Sequence, residues 1–484
     1  MYALFLRKPT LRDYFLLYLA AFIIRALTFS MYVQHEERYC QPDSPDYHNA
    51  ALCLSYGHGM HYPNGRPIFW RTPGYPWFLN HFYKTATYTN GDFSAHTPAH
   101  KTAIWVQIML CSLLPLLLFS LGYTLTRSTV IAWIAALISI FHIGFVLAST
   151  YLLTDGLALI LFTLFLIFFF KSFSFSRENL PVSKHSCIYI VCAIISLSLF
   201  TWMRPMGQFI GIIATVILLF SSGSLSKRIA KSVFFLVLFS STLFPWFYRN
   251  QQLTGHWFFC PLFGLYFNAF NAPKILARVA RIPLIDAHKK LTYDAAVLTH
   301  KKQEQYKQAG IKKAVCGEIV CLKTSLPLIY AFPGYFMYDW IVESCKTAFD
   351  LHTSQLVAFH DNCFKWDPLV EYLDEKIKNC LYAHPLPVYI RLIAWLEFIF
   401  SLMVWIGIIG GILYFMLQSL CKSVNQTIIN YSFLWIKTGL FIGVVILQTG
   451  GFGYARLRLP IEPLMLILGI TFWWWYLQER TKKQ

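Results

Sequence analysis

Charge is what this chain has least of: only 13% of its 484 residues are Asp, Glu, Lys or Arg, and acids number 23 against 41 Lys and Arg. With 56% hydrophobic residues, that scarcity excludes one soluble core and makes the bilayer the natural solvent for the apolar runs. A basic soluble domain is also missing, so the formal charge of +18 is no nucleic-acid footprint and reads as a topology signal. No internal repeat at a fixed period, no low-complexity linker and no zinc-like cysteine spacing occurs. No small-residue cleavage pattern follows the first apolar run, so that run is expected to be retained as a span.

Crossing roughly 30 Å of hydrocarbon takes about 17 to 25 mostly apolar residues. Such runs lie at 14–33, 103–124, 129–149, 151–171, 186–203, 206–222, 229–247, 388–418, 431–449 and 460–477. They predict an all-α integral membrane protein of about ten transmembrane helices. If the spans alternate, Arg7, Lys8, Arg12, Arg127, Lys171, Arg177, Lys184, Lys227, Arg228, Lys231, Lys422, Arg480, Lys482 and Lys483 share one side, which the positive-inside rule makes cytoplasmic. Two long segments, 34–101 and 248–387, then lie outside, where chemistry is to be sought. The expected organisation is a first membrane part, 1–247, containing outer loop 34–101, then a mainly helical extracytoplasmic loop domain, 248–387, then C-terminal spans in 388–484. Cys40, Cys53, Cys260, Cys316, Cys321, Cys345, Cys363 and Cys380 fall in the outer segments, where disulfides are permitted.

In the first outer loop, Ser44 is suited to cap a short helix, Pro45 to its first position and Gly57 to its stop, which leaves Asp43 just ahead of a helix N-terminus. Asp46, in the first turn, either complements the helix dipole or joins a site. Arg71-Thr72-Pro73-Gly74-Tyr75-Pro76 predicts a fixed turn leading into an interfacial helix at 76–84. In the second outer segment, 274–313 carries ten Lys/Arg against three Asp/Glu, either a solvated helical face or an attraction for an anionic lipid or acceptor. The stretch 324–345 is expected to lie along the membrane.

Ionisable residues at span ends are costly unless they meet water, protein or ligand, which singles out Asp155, Arg204, Arg249, Arg456 and Arg458 on the outer side. Each arginine alone also has a plain reading as a snorkelling side chain. Together with Asp43, these groups suit transfer of a sugar from a lipid-linked phosphate, which needs a general base for the acceptor and fixed cations for the departing phosphate. Asp43 is then the base, Asp155 orients the acceptor or holds a metal, and the arginines bind phosphate oxygens through their planar forks. Tyr47, Trp70, Tyr75 and Tyr248 offer flat faces to a sugar or prenyl chain, or belong to the aromatic belt.

The chain resembles the bacterial relatives of dolichyl-phosphate-mannose–protein mannosyltransferases, membrane glycosyltransferases of the C-type (GT-C) fold that include the lipid A aminoarabinose transferases. The likeness lies in Asp43-Ser44 with Tyr47, Ala50 and Gly57, in Arg71 to Pro76, around Asp155, in Arg204-Pro205, in Pro245-Trp246 with Arg249-Asn250, and in Arg456 to Pro460. It implies interfacial helices in the first outer loop, a polyprenyl-phosphate-sugar donor, inversion at the anomeric carbon and a first-loop acid at the catalytic position. Catalytic Asp43 and Asp155 follow, with Asp46, Tyr47, Arg71, Arg204, Arg249, Arg456 and Arg458 as substrate-binding residues. The partners are the donor, a lipid, glycan or protein acceptor, and the membrane, without nucleic acid; the implied location is a bacterial inner membrane with the site facing the periplasm. Many members carry two adjacent acids in this loop, whereas here Ser44 follows Asp43 and the next acid is Asp46. No cofactor is fixed by the residues, and a divalent metal, Mg²⁺ or Mn²⁺, is the candidate. The alternative from another class, a transporter or flippase of a lipid-linked precursor, predicts inverted repeats and paired Gly/Pro breaks that are not visible here.

Overall fold

The computed structural model describes residues 7, 9–31, 33–83, 97–173, 184–221, 224–353, 388–419, 426–450 and 453–483. Helix α1 (Leu11–Ser30) opens on a reciprocal cap, in which the Asp13 N–H donates to the Thr10 hydroxyl at 3.4 Å and the Thr10 N–H donates to the Asp13 carboxylate at 2.7 Å. The first outer loop folds into α2 (Ser44–Ser55) and α3 (Gly74–Tyr83). Then come α4 (Thr97–Cys111), α5 (Leu114–Thr126), α6 (Thr129–Phe141), α7 (Ile143–Thr150), α8 (Asp155–Ser172), α9 (Lys184–Met203), α10 (Gly207–Leu219) and α11 (Leu225–Thr254). The second long segment supplies α12 (Ala272–Ala280), α13 (Leu284–Gln308), α14 (Gly317–Ala331) and α15 (Pro333–Phe349). The chain closes with α16 (Val388–Ser419), α17 (Gln426–Gln448) and α18 (Glu462–Lys483), the last reached through the turn Ala455–Arg458. Among the described residues no strand occurs beyond one isolated bridge, His61 with Pro67.

By length and composition, six helices among the described residues are able to cross a membrane, or eight if each of two bent pairs is one span. The chain is thus a multi-pass membrane protein. The run at 129–149 breaks at His142 into α6 and α7, bent by 51°, and the expected span at 206–222 is the 13-residue helix Gly207–Leu219. The second bent pair, α14 with α15, turns by 110° at Phe332 and includes the stretch expected to lie along the membrane. Of the outer-segment cysteines, Cys53, Cys260, Cys316, Cys321 and Cys345 are free, while Cys363 and Cys380 lie outside the described residues.

Helix α8 is the axis of the bundle. Its apolar window is 78% buried, against 22% for α1, 28% for α11 and 17% for α16. Lipid tails give no hydrophobic reward for helix association, so packing holds such helices together, and here the packing is aromatic. Phe162 of α8 meets Phe200 of α9 at a centroid distance of 5.0 Å, and Phe165 and Phe169 meet Phe441 of α17 edge-on at 5.8 and 5.7 Å. Asp155 is the first residue of this axis, so whatever it binds stands on the best-packed helix of the bundle.

The turn 71–76 docks on the end of α9. The Thr72 hydroxyl donates to the Met203 carbonyl at 2.9 Å, and a Cβ added at Gly74 would stand 2.6 Å from the Trp202 carbonyl oxygen. Glycine is required there because the neighbour is backbone and cannot swing away. Gly74→Ala is therefore expected to destabilise the protein by about 1–3 kcal/mol, read as a lower melting midpoint in nanodiscs. An unchanged midpoint would show that the turn is not held by this contact.

Candidate functional site

The site forms where the first long loop meets the N-terminus of α8, the C-terminus of α9 and the start of the last span. Helix α2 begins differently from the sequence expectation: Asp43 rather than Ser44 occupies the N-cap, and no side chain caps the helix. The Ser44 hydroxyl is used elsewhere, donating to the Leu152 carbonyl at 2.9 Å and accepting from the Gln41 N–H at 2.8 Å. Pro45 and Gly57, the latter at φ +77°, sit where a helix start and stop need them. The linker 151–154 ahead of Asp155 is held by buried Gln107, whose amide donates to the Ala148, Ser149 and Tyr151 carbonyls at 3.3, 3.1 and 2.9 Å. These bonds satisfy the exposed carbonyls at the end of α7 and set the position of the α8 N-terminus.

Three acids and three arginines alternate across this junction. Arg71 donates to Asp46 Oδ2 from Nε at 3.2 Å and from Nη2 at 2.9 Å, and to Asp43 Oδ1 from Nη2 at 2.7 Å. Arg456 donates to Asp43 Oδ2 from Nη2 at 2.8 Å, and from Nε to both Asp155 oxygens at 3.2 and 3.1 Å. Arg204 pairs with Asp155 Oδ1 and donates from Nε to the Thr154 hydroxyl at 3.3 Å. The series Asp46, Arg71, Asp43, Arg456, Asp155, Arg204 is partly open around Asp43, whose side chain is 26% exposed, and closed at Asp155, which is 1% exposed. The Arg71 guanidinium also lies 4.4 Å from the Trp70 ring centre and 5.1 Å from that of Tyr47.

Burial pushes the Asp43 carboxyl up, but the flanking Arg71 and Arg456 guanidiniums outweigh it and hold the group well below the usual carboxylate range. For Asp46 the balance reverses: burial raises its carboxyl in spite of Arg71. Tyr62, not anticipated from the sequence, donates to Asp46 at 3.3 Å and accepts from the Trp70 indole at 2.8 Å. Its phenol is pushed up to about 12 by burial and then by the Asp46 charge. Tyr266, also unanticipated, has its phenol pushed up to about 12 by burial and then by the charge of Asp43, which marks it as a neighbour of the cluster.

Arg249 and Arg458 make their bonds elsewhere. Arg249 donates to the carbonyls of Met60 and Ile68 at 2.9 and 3.2 Å and stacks 4.4 Å from the Trp246 ring centre, so it ties the 60–68 hairpin to α11. Arg458 bonds Glu462 at 2.9 Å and caps the end of α15 through the carbonyls of Thr347, Ala348 and Asp350 at 3.1, 3.1 and 2.5 Å. With the Gly453 N–H on Glu343 at 2.8 Å and the Ala455 N–H on Asp350 at 3.1 Å, it fixes the segment that carries Arg456. A narrow gap without room for a water molecule is lined by Asp155, Arg456, Gly144, Ala148, Tyr151, Leu459 and His352, the last another residue that sequence reasoning missed. A wider hollow of about 530 Å³ around Arg278, Phe332, Gly334, Tyr335 and Tyr338 contains none of the cluster.

A divalent metal does not fit the donor set. Among the described residues no three His, Cys, Asp or Glu side chains converge on one point. Asp155, the acid expected to orient the acceptor or hold a metal, is bridged to Asp43 by a guanidinium.

No protein-family model matches the chain. No curated protein matches it either. Solved structures do. The archaeal oligosaccharyltransferase AglB from Archaeoglobus fulgidus, in complex with an inhibitory peptide and a dolichol-phosphate, is 13% identical with a TM-score of 0.50, over 94% of this chain and 50% of that one. ArnT from Cupriavidus metallidurans bound to undecaprenyl phosphate is 12% identical with a TM-score of 0.37, over 94% of this chain and 79% of that one. The first of these likenesses shows a shared fold, that of a GT-C membrane glycosyltransferase, and the chain spans half the length of the oligosaccharyltransferase.

Two predictions follow from the charges. Asp155→Asn leaves two buried guanidiniums short of a carboxylate and is expected to cost about 3–5 kcal/mol, seen as a large drop in melting midpoint; an unchanged midpoint would mean that Arg204 and Arg456 re-pair freely. A depressed carboxyl adds stability that is present above its ordinary value of 3.8 and is lost as pH falls through its lower folded value, whereas a raised carboxyl costs stability when ionised. At pH 7, Asp43→Asn should therefore lower the midpoint while Asp46→Asn leaves it unchanged or raises it, and the opposite order would refute these assignments.

Proposed function

We propose that the chain is an inverting glycosyltransferase that moves a sugar from a polyprenyl-phosphate-sugar donor to a lipid, glycan or protein acceptor at the outer, periplasmic face of a bacterial inner membrane. One observation carries this reading: a first-loop carboxylate is held between two guanidiniums, with a third guanidinium one acid further along, all at the outer ends of helices. The fold supports it, since an oligosaccharyltransferase that shares it was solved with a dolichol-phosphate.

The donor phosphate competes with carboxylates for the arginines. As its oxygens draw Arg456 and Arg71 away, Asp43 loses the cations that depress it, and its proton affinity rises towards the ordinary range. The base thus gains strength when the donor is in place. The acceptor hydroxyl or amine then gives its proton to Asp43 and attacks the anomeric carbon from the face opposite the phosphate. The bond from that carbon to the phosphate oxygen breaks, and polyprenyl phosphate leaves with the electron pair, stabilised by the fixed guanidiniums. Asp155 acts as the buried anchor that aims Arg204 and Arg456. Tyr47 and Trp70 brace Arg71, while Arg249 and Arg458 act by holding the loop hairpin and the last span.

Purified protein in nanodiscs, supplied with a panel of radiolabelled polyprenyl-phosphate sugars and candidate acceptors, tests this reading. Asp43→Asn is expected to lower release of polyprenyl phosphate by about 10²–10⁴-fold while donor still binds, and Arg456→Ala to weaken both binding and turnover. Turnover unaffected by Asp43→Asn would refute the base assignment, and donor binding without turnover in any protein of the set would favour transport of the lipid-linked precursor.

A further inference from the structure

The two acids that the reaction would draw on are joined by a side chain of this protein. Arg456 sends Nη2 to Asp43 Oδ2 at 2.8 Å and Nε to Asp155 Oδ1 and Oδ2 at 3.2 and 3.1 Å. The remaining partners are divided: Arg71 takes Asp43 Oδ1, and Arg204 takes Asp155 Oδ1. Asp43 Oδ2 and Asp155 Oδ2 are therefore left to Arg456 among the described hydrogen bonds. These two oxygens are held by two neighbouring nitrogens, Nη2 and Nε, of a single guanidinium.

A hard divalent cation asks for the same surroundings, carboxylate oxygens from separate segments with room for its waters. The gap lined by Asp155, Arg456 and His352 is too narrow for a water molecule, so the room for such waters comes from removal of the Arg456 side chain. Two desolvated carboxylates also need a cation between them to remain ionised together. We propose that Arg456 is the built-in cation of this site: it stands where a bridging divalent metal would stand, so the native protein takes no metal between Asp43 and Asp155, and removing the guanidinium creates a metal site there. The claim concerns the resting charge of the site and is independent of the reaction the chain performs. Three acids with three arginines balance, and loss of Arg456 leaves an excess negative charge with one oxygen of each bridged acid unpaired.

Mn²⁺ binding to the purified full chain in nanodiscs, followed by electron paramagnetic resonance, tests the proposal without any assay of turnover. The native protein and Asp155→Asn are expected to bind Mn²⁺ equally, because neither holds it at the cluster. Arg456→Ala should bind one more Mn²⁺ per chain, which is lost in the double variant Arg456→Ala/Asp155→Asn and displaced by millimolar guanidinium. Arg456→Gln, close in length but neutral, should behave like Arg456→Ala and serves if the smaller side chain prevents folding. Mn²⁺ bound by the native protein and lost in Asp155→Asn would overturn the proposal, as would a folded Arg456 variant that gains no Mn²⁺.

Discussion

The bridge from Asp43 through Arg456 to Asp155 is the interaction on which the rest of the site depends. It joins the first outer loop, the N-terminus of the central helix and the start of the last span, segments hundreds of residues apart in sequence. In surroundings this dry an unpaired charge is far more expensive than a bent helix or an uncapped turn. The acids and arginines therefore have to find one another, and the backbone devices around them serve that end. Ser44 gives up capping α2 to pin the loop to Leu152, Gln107 holds the linker ahead of Asp155, and Gly74 lets the Arg71 turn seat on the end of α9.

A self-neutralised cluster has a consequence for chemistry. Asp43 at rest is firmly ionised and a weak base, because two guanidiniums sit on its two oxygens. An anionic substrate is then a rival for those guanidiniums as well as a ligand, and its arrival changes the strength of the base. Under the proposed function, binding and proton transfer are linked through shared arginines. In the proposed reaction this linkage keeps the acceptor from being activated before the donor is seated.

Much of the site was legible from where charge occurs in a chain that has little of it. Asp43, Asp46 and Arg71 stand in the first long loop, Asp155, Arg204 and Arg456 at the ends of apolar runs, and all six meet. Arg249 and Arg458 look the same in sequence but turn to backbone carbonyls at Met60, Ile68, Thr347, Ala348 and Asp350. Periodicity and topology give a residue's depth along the membrane. They do not give its bearing around the helix, nor which carbonyls a bend has left without partners. The same limit explains the breaks at His142 and Phe332, which leave apolar run length unchanged, and the silence of Tyr62 and Tyr266, which nothing separates from the other aromatics in a chain that is 18% aromatic.

The account stands most directly on where a polyprenyl phosphate binds. A structure of the full chain in nanodiscs with polyprenyl phosphate would decide it. The phosphate is expected against Arg456 and Arg71, with at least one of the Asp43 oxygens released from its guanidinium. A phosphate seated elsewhere, with the alternation from Asp46 to Arg204 intact, would contradict it.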